Sequence, residues 1–407
     1  MHLIYNIGIY LYEIIITIIS PFNIKAKKWK VGRKDFFVKL PQIDCSNIHW
    51  FHCASLGEFD QALPVMNLLK EKDSSIFILV TFFSPSGFEH YHKRKHRADY
   101  VCYLPSDSPK NAERFINHFS PKKVYFVKYE FWANYIFEAK KKGAELYSIS
   151  AVFRENQHFF KSENNFFAKT LKQFDHFFVQ NKKSEELLQT ININNISITG
   201  DTRFDRVIEN KQNLTLNPVI EKFKNNKKVW VIGSSWPEDE AILWKSINLT
   251  NYKVIIAPHD ISEKHINQIN SNISTSSIRY SKIQDDTNLT NTNVLILDTI
   301  GHLANAYHYG DFAYIGGGFK GSLHNILEPA VFGLPILFGP KHVKFPEASL
   351  FLEKGIAYQV ENSKDVLKWI KKWYNEDLTA IKSKVKSIVD ENKGASTKIT
   401  HHILKQL

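Results

Sequence analysis

An apolar run, Trp50 to Ala54, stops at Ser55-Leu56-Gly57 and is followed at once by Glu58. A carboxylate there is either a helix-start charge favoured by the free amides of the first turn or a reagent that takes a proton from a substrate. Spacing alone leaves both open. Two more charged groups follow apolar runs in the same way, Glu130 after "KVYFV" and Arg203 after "ISITGDT". In the second half, Pro258 and His259 end "YKVIIAP", and Ile300, Gly301 and His302 follow "NVLILDT". The stretch "YIGGGFKGSLHNILEPA" then carries a glycine run and Asn325, Ile326, Leu327 and Glu328. Glycines after a strand let the backbone approach a ligand closely, and a helix opened by "HNILEPA" would turn free amides toward a phosphate. Glu328 suits a ribose diol or merely complements the helix dipole.

These positions carry meaning only if strands end there. From residue 48, short apolar runs alternate with charged amphipathic stretches: "IHWFHCAS", "SIFILVTF", "ADYVCYLP", "KVYFVKYE", "ELYSISAV", "FDHFFVQ" and "ISITG". A second series reads "VWVIGSS", "YKVIIAPHD", "SIRYSK", "NVLILDTI", "DFAYIGGG", "PILFGP" and "IAYQV". Continuous apolar runs of this length between helical stretches mark parallel strands covered on both faces. The fold class expected is α/β, with two doubly wound Rossmann-like domains facing across a cleft. Their ligands should bind beyond the carboxyl ends of the strands. The expected division is an anchor and basic flank at 1–34, a first domain at 35–208, an Asn- and Lys-rich linker at 209–228 and a second domain at 229–407. Two helices should close the chain, Lys364 to Tyr374 and Leu378 to Leu404, the second broken near Gly394.

With 407 residues, 43% of them hydrophobic and 14% aromatic, the chain can fill two cores and is not disordered. Cys45, Cys53 and Cys102 form no CxxC pair or metal spacing and read as buried thiols of a reducing compartment. The net charge of +12 is unevenly spread. Leu3 to Phe22 is about long enough to cross a bilayer, and Lys25, Lys27, Lys28, Lys30, Arg33 and Lys34 follow directly. Charge after the apolar segment, with no small-residue cleavage site, indicates an uncleaved anchor with the body of the protein in the cytoplasm. Asn6 and Glu13 weaken a full span and leave open a helix lying in the interface, and a buried N-terminal helix is the third reading. A nucleic-acid partner is not expected, because no recognition motif accompanies the charge.

Several ordered blocks resemble one family. "HCASLGEFDQALPV", "VKYEFWANYI", "SISAVFRENQ", "ITGDTRFDR", "IGSSWPEDEAIL", "IAPHD", "LDTIGHLANAY" and "GGGFKGSLHNILEPAVFGLPILFGPKHVKFPEA" are similar to blocks of the lipid A 3-deoxy-D-manno-octulosonic acid (Kdo) transferases, GT-B glycosyltransferases. The resemblance implies an inverting transfer of Kdo from CMP-Kdo to a lipid A precursor (lipid IVA) on the cytoplasmic face of the bacterial inner membrane. It implies CMP-Kdo as donor substrate, with no further cofactor and no metal, and no Asp-x-Asp motif is present. It places Glu58 on the family's base, and Glu130 and Arg203 on the groups that stabilise the transition state. CMP contacts fall on Pro258, His259, Ile300, Gly301, His302, Asn325, Ile326, Leu327 and Glu328.

Departures from the pattern are local. His259 stands for Arg, His302 for Glu, Ile326 for Pro, Lys128 for Glu and Arg203 for Lys. The last keeps the charge but replaces a point charge with a planar fork. Two other readings compete: a GT-B transferase or nucleotide-sugar epimerase using a UDP-sugar, and a membrane-docked binder that has lost its chemistry.

Overall fold

The structure, a computed structural model, describes residues 1–405. Both series of apolar runs form parallel sheets. The first contains β1 (Ile48–Cys53), β2 (Phe77–Phe82), β3 (Tyr100–Tyr103), β4 (Lys123–Val127), β5 (Glu145–Ala151), β6 (His176–Val179) and β7 (Ile196–Ile198), in the order β3-β2-β1-β4-β5-β6-β7. The second contains β8 (Val229–Ser235), β9 (Lys253–Pro258), β10 (Ser277–Arg279), β11 (Val294–Ile296), β12 (Phe312–Ile315), β13 (Ile336–Phe338) and β14 (Ala357–Gln359), in the order β10-β11-β9-β8-β12-β13-β14. Helices cover both faces, so β1 and β4 are buried along their whole length. That double burial is why these strands read as continuous apolar runs.

Two compact units result, Met1–Arg206 with the chain from Asn392 onward, and Val207–Glu391. This differs from the expected division at 209–228 and from a second domain running to 407. The expected linker contains the end of a helix, Thr202–Gln212, and another, Pro218–Lys224, whose Ile220 and Phe223 are buried. The expected last helix is two, Thr379–Glu391 and Ala395–Lys405, separated by Gly394 at φ +95°. The second returns to the first unit. Asp205 accepts from the amides of Gly394 (2.5 Å) and Ser396 (2.7 Å), capping its start. Ile399 and Ile403 join the core of Phe59, Leu63, Tyr125 and Tyr147. Burying each contributes about 1.5–3 kcal/mol.

The N-terminal segment is a helix, α1 (His2–Ile19), followed by α2 (Ile24–Gly32). The polar side of α1 faces the first unit. His2 bonds Asn134 (2.8 Å), Tyr5 donates to Asp107 (2.5 Å), Asn6 accepts from Asn134 (2.9 Å), and Glu13 accepts from Ser106. Leu3, Ile4, Ile7, Leu11, Ile14, Ile15 and Ile18 remain exposed. Of the three cysteines, Cys53 and Cys102 are buried as expected, while Cys45 is half-exposed.

Candidate active site

Each sheet has a place where the connections of two neighbouring strands part. In the first it lies between β1 and β4, in the second between β8 and β12. The connections leaving those neighbouring strands part in opposite directions and open a crevice. Glu58 follows β1 and Glu130 follows β4, while Trp236 follows β8 and the glycine run follows β12.

Glu58 sits in the first turn of α3 (Leu56–Lys72) and is buried. Ser55 accepts from its amide (3.4 Å), and its Oε2 accepts from the amides of Ala54 and Ser55, the latter at 3.2 Å. That is a complete capping box, which the Ser-x-x-Glu spacing encodes. Oε1 takes no hydrogen bond among the described residues. Burial, and next the charge of Glu130, push the Glu58 carboxyl up to about 8, against the opposing pull of Lys128 and the two amides. Burial also raises Glu130. A carboxyl that titrates near neutrality with one oxygen free can exchange a proton with a bound hydroxyl.

The loop carrying Glu130 is fixed from behind. Trp132 donates its indole N–H to His52 Nε2 (2.9 Å), so the imidazole proton sits on Nδ1, toward Thr81 Oγ1 (2.9 Å). Burial, then Arg33, push His52 down to about 3, which keeps it a neutral acceptor. At the head of the loop Lys128 adopts φ +62°, a conformation costing about 1–2 kcal/mol in a residue with a β-carbon. Such strain gathers at functional edges, and Ser150 and Ser234, at the ends of β5 and β8, share it.

Arg203 is brought to the Glu58 helix through Asp201. Its guanidinium grips Asp201 (2.6 and 2.8 Å), and Gln61, one turn beyond Glu58, donates to the same carboxylate (3.1 Å). Burial works to raise Asp201, but Arg203 and these bonds outweigh it and hold the carboxyl below its usual range. Thr202 closes the contact by donating to the carbonyl of Gln61 (2.7 Å).

In the second unit the glycines serve a different purpose from the one their spacing suggests. A β-carbon on Gly316 would lie 2.2 Å from the carbonyl oxygen of Ser234, and one on Gly318 would lie 2.5 Å from the amide nitrogen of Gly339. The run packs against protein backbone. Asp239 pins it, accepting from Gly317 N (2.8 Å), Tyr314 OH (2.8 Å) and Trp236 N (3.0 Å). The helix expected at "HNILEPA" is only the turn Leu327–Ala330, whose first amide donates to Asn325 Oδ1 (3.2 Å). Ile326 and Leu327 are fully buried, so neither side chain meets a ligand. Asn325 also reaches Glu328 (3.3 Å). Pro258 is the buried end of β9, Ile300 is 78% exposed, and Gly301 turns at φ +102°. The His302 ring lies against Tyr280, centres 4.2 Å apart and planes tilted by 32°.

Trp236, His324 and Lys320 are site residues that the spacing did not single out. The Trp236 indole stacks on His259 (4.0 Å, 19° between planes) and donates to His324 (3.2 Å), and the Lys320 ammonium lies 4.2 Å from its ring centre. Burial, then His259, push His324 down to about 4, and burial also lowers His259. Both imidazoles are therefore neutral at pH 7. The cation at this edge is Lys320, whose ammonium also pairs with Glu238 (3.3 Å). Among the described residues no cluster of His, Cys, Asp or Glu is arranged to hold a metal.

The model of the family described as 3-deoxy-D-manno-octulosonic-acid transferase (kdotransferase) matches residues 28–206, which include Glu58, Glu130 and Arg203. A 3-deoxy-D-manno-octulosonic acid transferase of Aquifex aeolicus is 26% identical over 82% of this chain and 88% of its own length. Over residues 28–206, a little under half of its length, the chain is similar to the Kdo transferases. A bifunctional glycosyltransferase/methyltransferase of Fusobacterium nucleatum is also 26% identical, and the chain spans 60% of its length. Of solved structures, a UDP-N-acetylglucosamine 2-epimerase from Rickettsia bellii superposes with a TM-score of 0.57 at 12% identity, covering 88% of this chain and 96% of that one. At that identity the likeness concerns the fold alone, the GT-B-like arrangement of two Rossmann-like α/β units in one chain. Its catalytic candidates fall inside the matched segment and its nucleotide candidates outside it.

Proposed function

We propose that the chain transfers Kdo from CMP-Kdo to a hydroxyl of a lipid A precursor, with Glu58 as base. The observation that carries this reading is the setting of Glu58: a buried carboxyl at a sheet switch point, pushed well above the usual carboxylate range by burial and then by Glu130, with Oε1 free among the described residues. The acceptor oxygen forms a bond to the anomeric carbon as the bond from that carbon to the phosphate oxygen of CMP breaks, its electron pair leaving with CMP. The hydroxyl proton passes to Glu58 Oε1. Positive charge grows on the sugar, which Glu130 is suited to offset once ionised, and no covalent intermediate on the enzyme is needed. Arg203 supplies a fixed positive charge beside the Glu58 helix, and Lys320 a cation for the phosphate of the nucleotide.

The anchor reading becomes more specific. α1 is held to the first unit through Ser106, Asp107 and Asn134, which follow β3 and β4 at the same sheet edge as Glu58 and Glu130. A helix that turns its polar side to the protein and its apolar side outward fits the plane of a membrane interface. It would hold the base edge against the cytoplasmic face of the inner membrane, where a lipid acceptor resides.

The decisive experiment is Glu58→Gln. Glutamine keeps an oxygen for the amides of Ala54 and Ser55 but cannot take the proton, so the fold and CMP binding persist while Kdo transfer falls by about 10²–10⁴. Near-normal turnover by this variant would sink the base assignment. Activity of the wild type with UDP-sugars and none with CMP-Kdo would overturn the donor.

A further inference from the structure

Beside α1 lies a cavity of about 310 Å³ that plays no part in the transfer described above. Its wall combines aromatic rings, Trp29, Phe36 and Phe37, with charges of both signs, Glu13 and Asp35 against Arg33 and Arg114. The two arginines differ. The Arg33 guanidinium donates to the carbonyls of Leu104 (2.7 Å), Phe83 (2.7 Å) and Trp29 (3.2 Å), and is part of the wall. The Arg114 guanidinium lies 4.0 Å from the ring centre of Phe37 and pairs with no carboxylate among the described residues. Glu13 has one oxygen on Ser106 and the other unbonded among the described residues.

We propose that this cavity binds the headgroup of a zwitterionic phospholipid, its primary ammonium on Glu13 and Asp35 and its phosphate on Arg114. An anionic headgroup alone would meet two carboxylates, and a lone cation would meet Arg114. A headgroup carrying both signs matches both. The ammonium has three N–H donors for the acids and a charge that the aromatic faces favour. The volume lies at the small end of ligand pockets, which suits a headgroup and not a whole lipid. The chains have a course of their own, since Glu13 belongs to the inner side of α1 and Leu11, Ile14, Ile15 and Ile18 form its exposed apolar side. A lipid seated there would fix α1 at the depth of the headgroups. This inference rests on α1 lying in the membrane interface, and it is independent of sugar transfer.

The test uses the full chain and vesicles with one fixed fraction of phosphatidylglycerol, the remainder being phosphatidylethanolamine or phosphatidylcholine. Choline has no N–H, so the wild type should bind the phosphatidylethanolamine vesicles several-fold more tightly. Arg114→Gln and Glu13→Gln should each abolish that preference while keeping the wild-type melting temperature, because Arg114 is exposed and a glutamine at position 13 can still accept from Ser106. Equal binding of the wild type to both vesicles, or a preference that survives both substitutions, overturns the proposal. Free phosphoethanolamine carries the same two charges and should compete for the cavity, erasing the preference for phosphatidylethanolamine vesicles. Failure to bind any vesicle overturns the interfacial reading of α1 and this site with it, while leaving Kdo transfer to be measured separately.

Discussion

At the scale of single residues, the two readings of Glu58 turn out to be compatible, because a carboxylate has two oxygens. Oε2 closes the capping box and Oε1 is free for chemistry. The Ser-x-x-Glu signature disclosed the first role. The raised carboxyl was hidden, since it depends on burial and then on Glu130, which is remote in sequence. A folded-state value of about 8 against an ordinary 4.5 means the folded protein holds this proton more tightly. Its contribution to stability is complete below pH 4.5 and is lost as pH rises through 8. Activity runs the other way: kcat/KM for transfer should rise with pH to a midpoint near 8. In Glu130→Gln the midpoint should move to lower pH, whatever the loss in rate, because a repelling charge has gone. An unmoved or higher midpoint would separate the two carboxylates. In the second unit, Lys320→Gln should raise the Kd for CMP about tenfold, the scale of one charge-assisted hydrogen bond, as read by calorimetry. Unchanged affinity would remove Lys320 from the nucleotide site. The stretch "GGGFKG" could not announce this lysine, because its neighbour Trp236 comes from a different strand end.

At the scale of elements, the fourteen apolar runs were legible as strands because burial on both faces leaves little room for polar residues. What the pattern concealed was partnership. "GASTKITHHILK" has the apolar spacing of a helix, but nothing in that spacing says that Ile399 and Ile403 pack beneath Phe59 and Tyr125 rather than in the second core. The glycine run was legible as a special turn and misleading about its cause, since Ser234 and Gly339, not a ligand, occupy the space a side chain would need. The junction at Gly394 offers a direct check on the returning helix. Asp205→Ala removes the acceptor for two amides, Gly394 and Ser396, and should destabilise the first unit by about 1–3 kcal/mol in chemical denaturation. CMP binding should be unaffected, because its candidate residues lie in the other unit. Loss of CMP affinity with unchanged stability would contradict the cap.

For the molecule as a whole, the question is how a chain of net charge +12 with an exposed apolar helix face would meet a membrane. Length and hydropathy allowed α1 to span, and its Asn6 and Glu13 looked like blemishes in a span. In the structure they are its attachment points, bonded with His2 and Tyr5 to a folded edge of the first unit. Crossing a bilayer would break these bonds and bury Glu13 in hydrocarbon, at several kcal/mol for the charge alone. Lying in the interface keeps them, and leaves Lys25, Lys27, Lys28 and Lys30 of α2 among the headgroups, each worth about 1 kcal/mol near an anionic surface. The two arrangements differ in depth along the helix. An 18-residue helix is about 27 Å long, so a spanning α1 would carry Leu3 and Ile18 to opposite sides of the hydrocarbon. Nitroxide labels on Leu3→Cys, Leu11→Cys and Ile18→Cys should instead report one common depth, at the boundary between headgroups and acyl chains, in phosphatidylglycerol-containing vesicles. A depth that increases from one end toward the bilayer centre and falls again at the other would show a span and detach α1 from Asp107 and Asn134. A common depth makes the helix a fixed spacer that sets the height of the Glu58 edge over the membrane. Tyr5→Phe with Asn6→Ala, which removes two attachments but no apolar area, should then weaken transfer to a membrane-embedded acceptor more than it weakens vesicle binding.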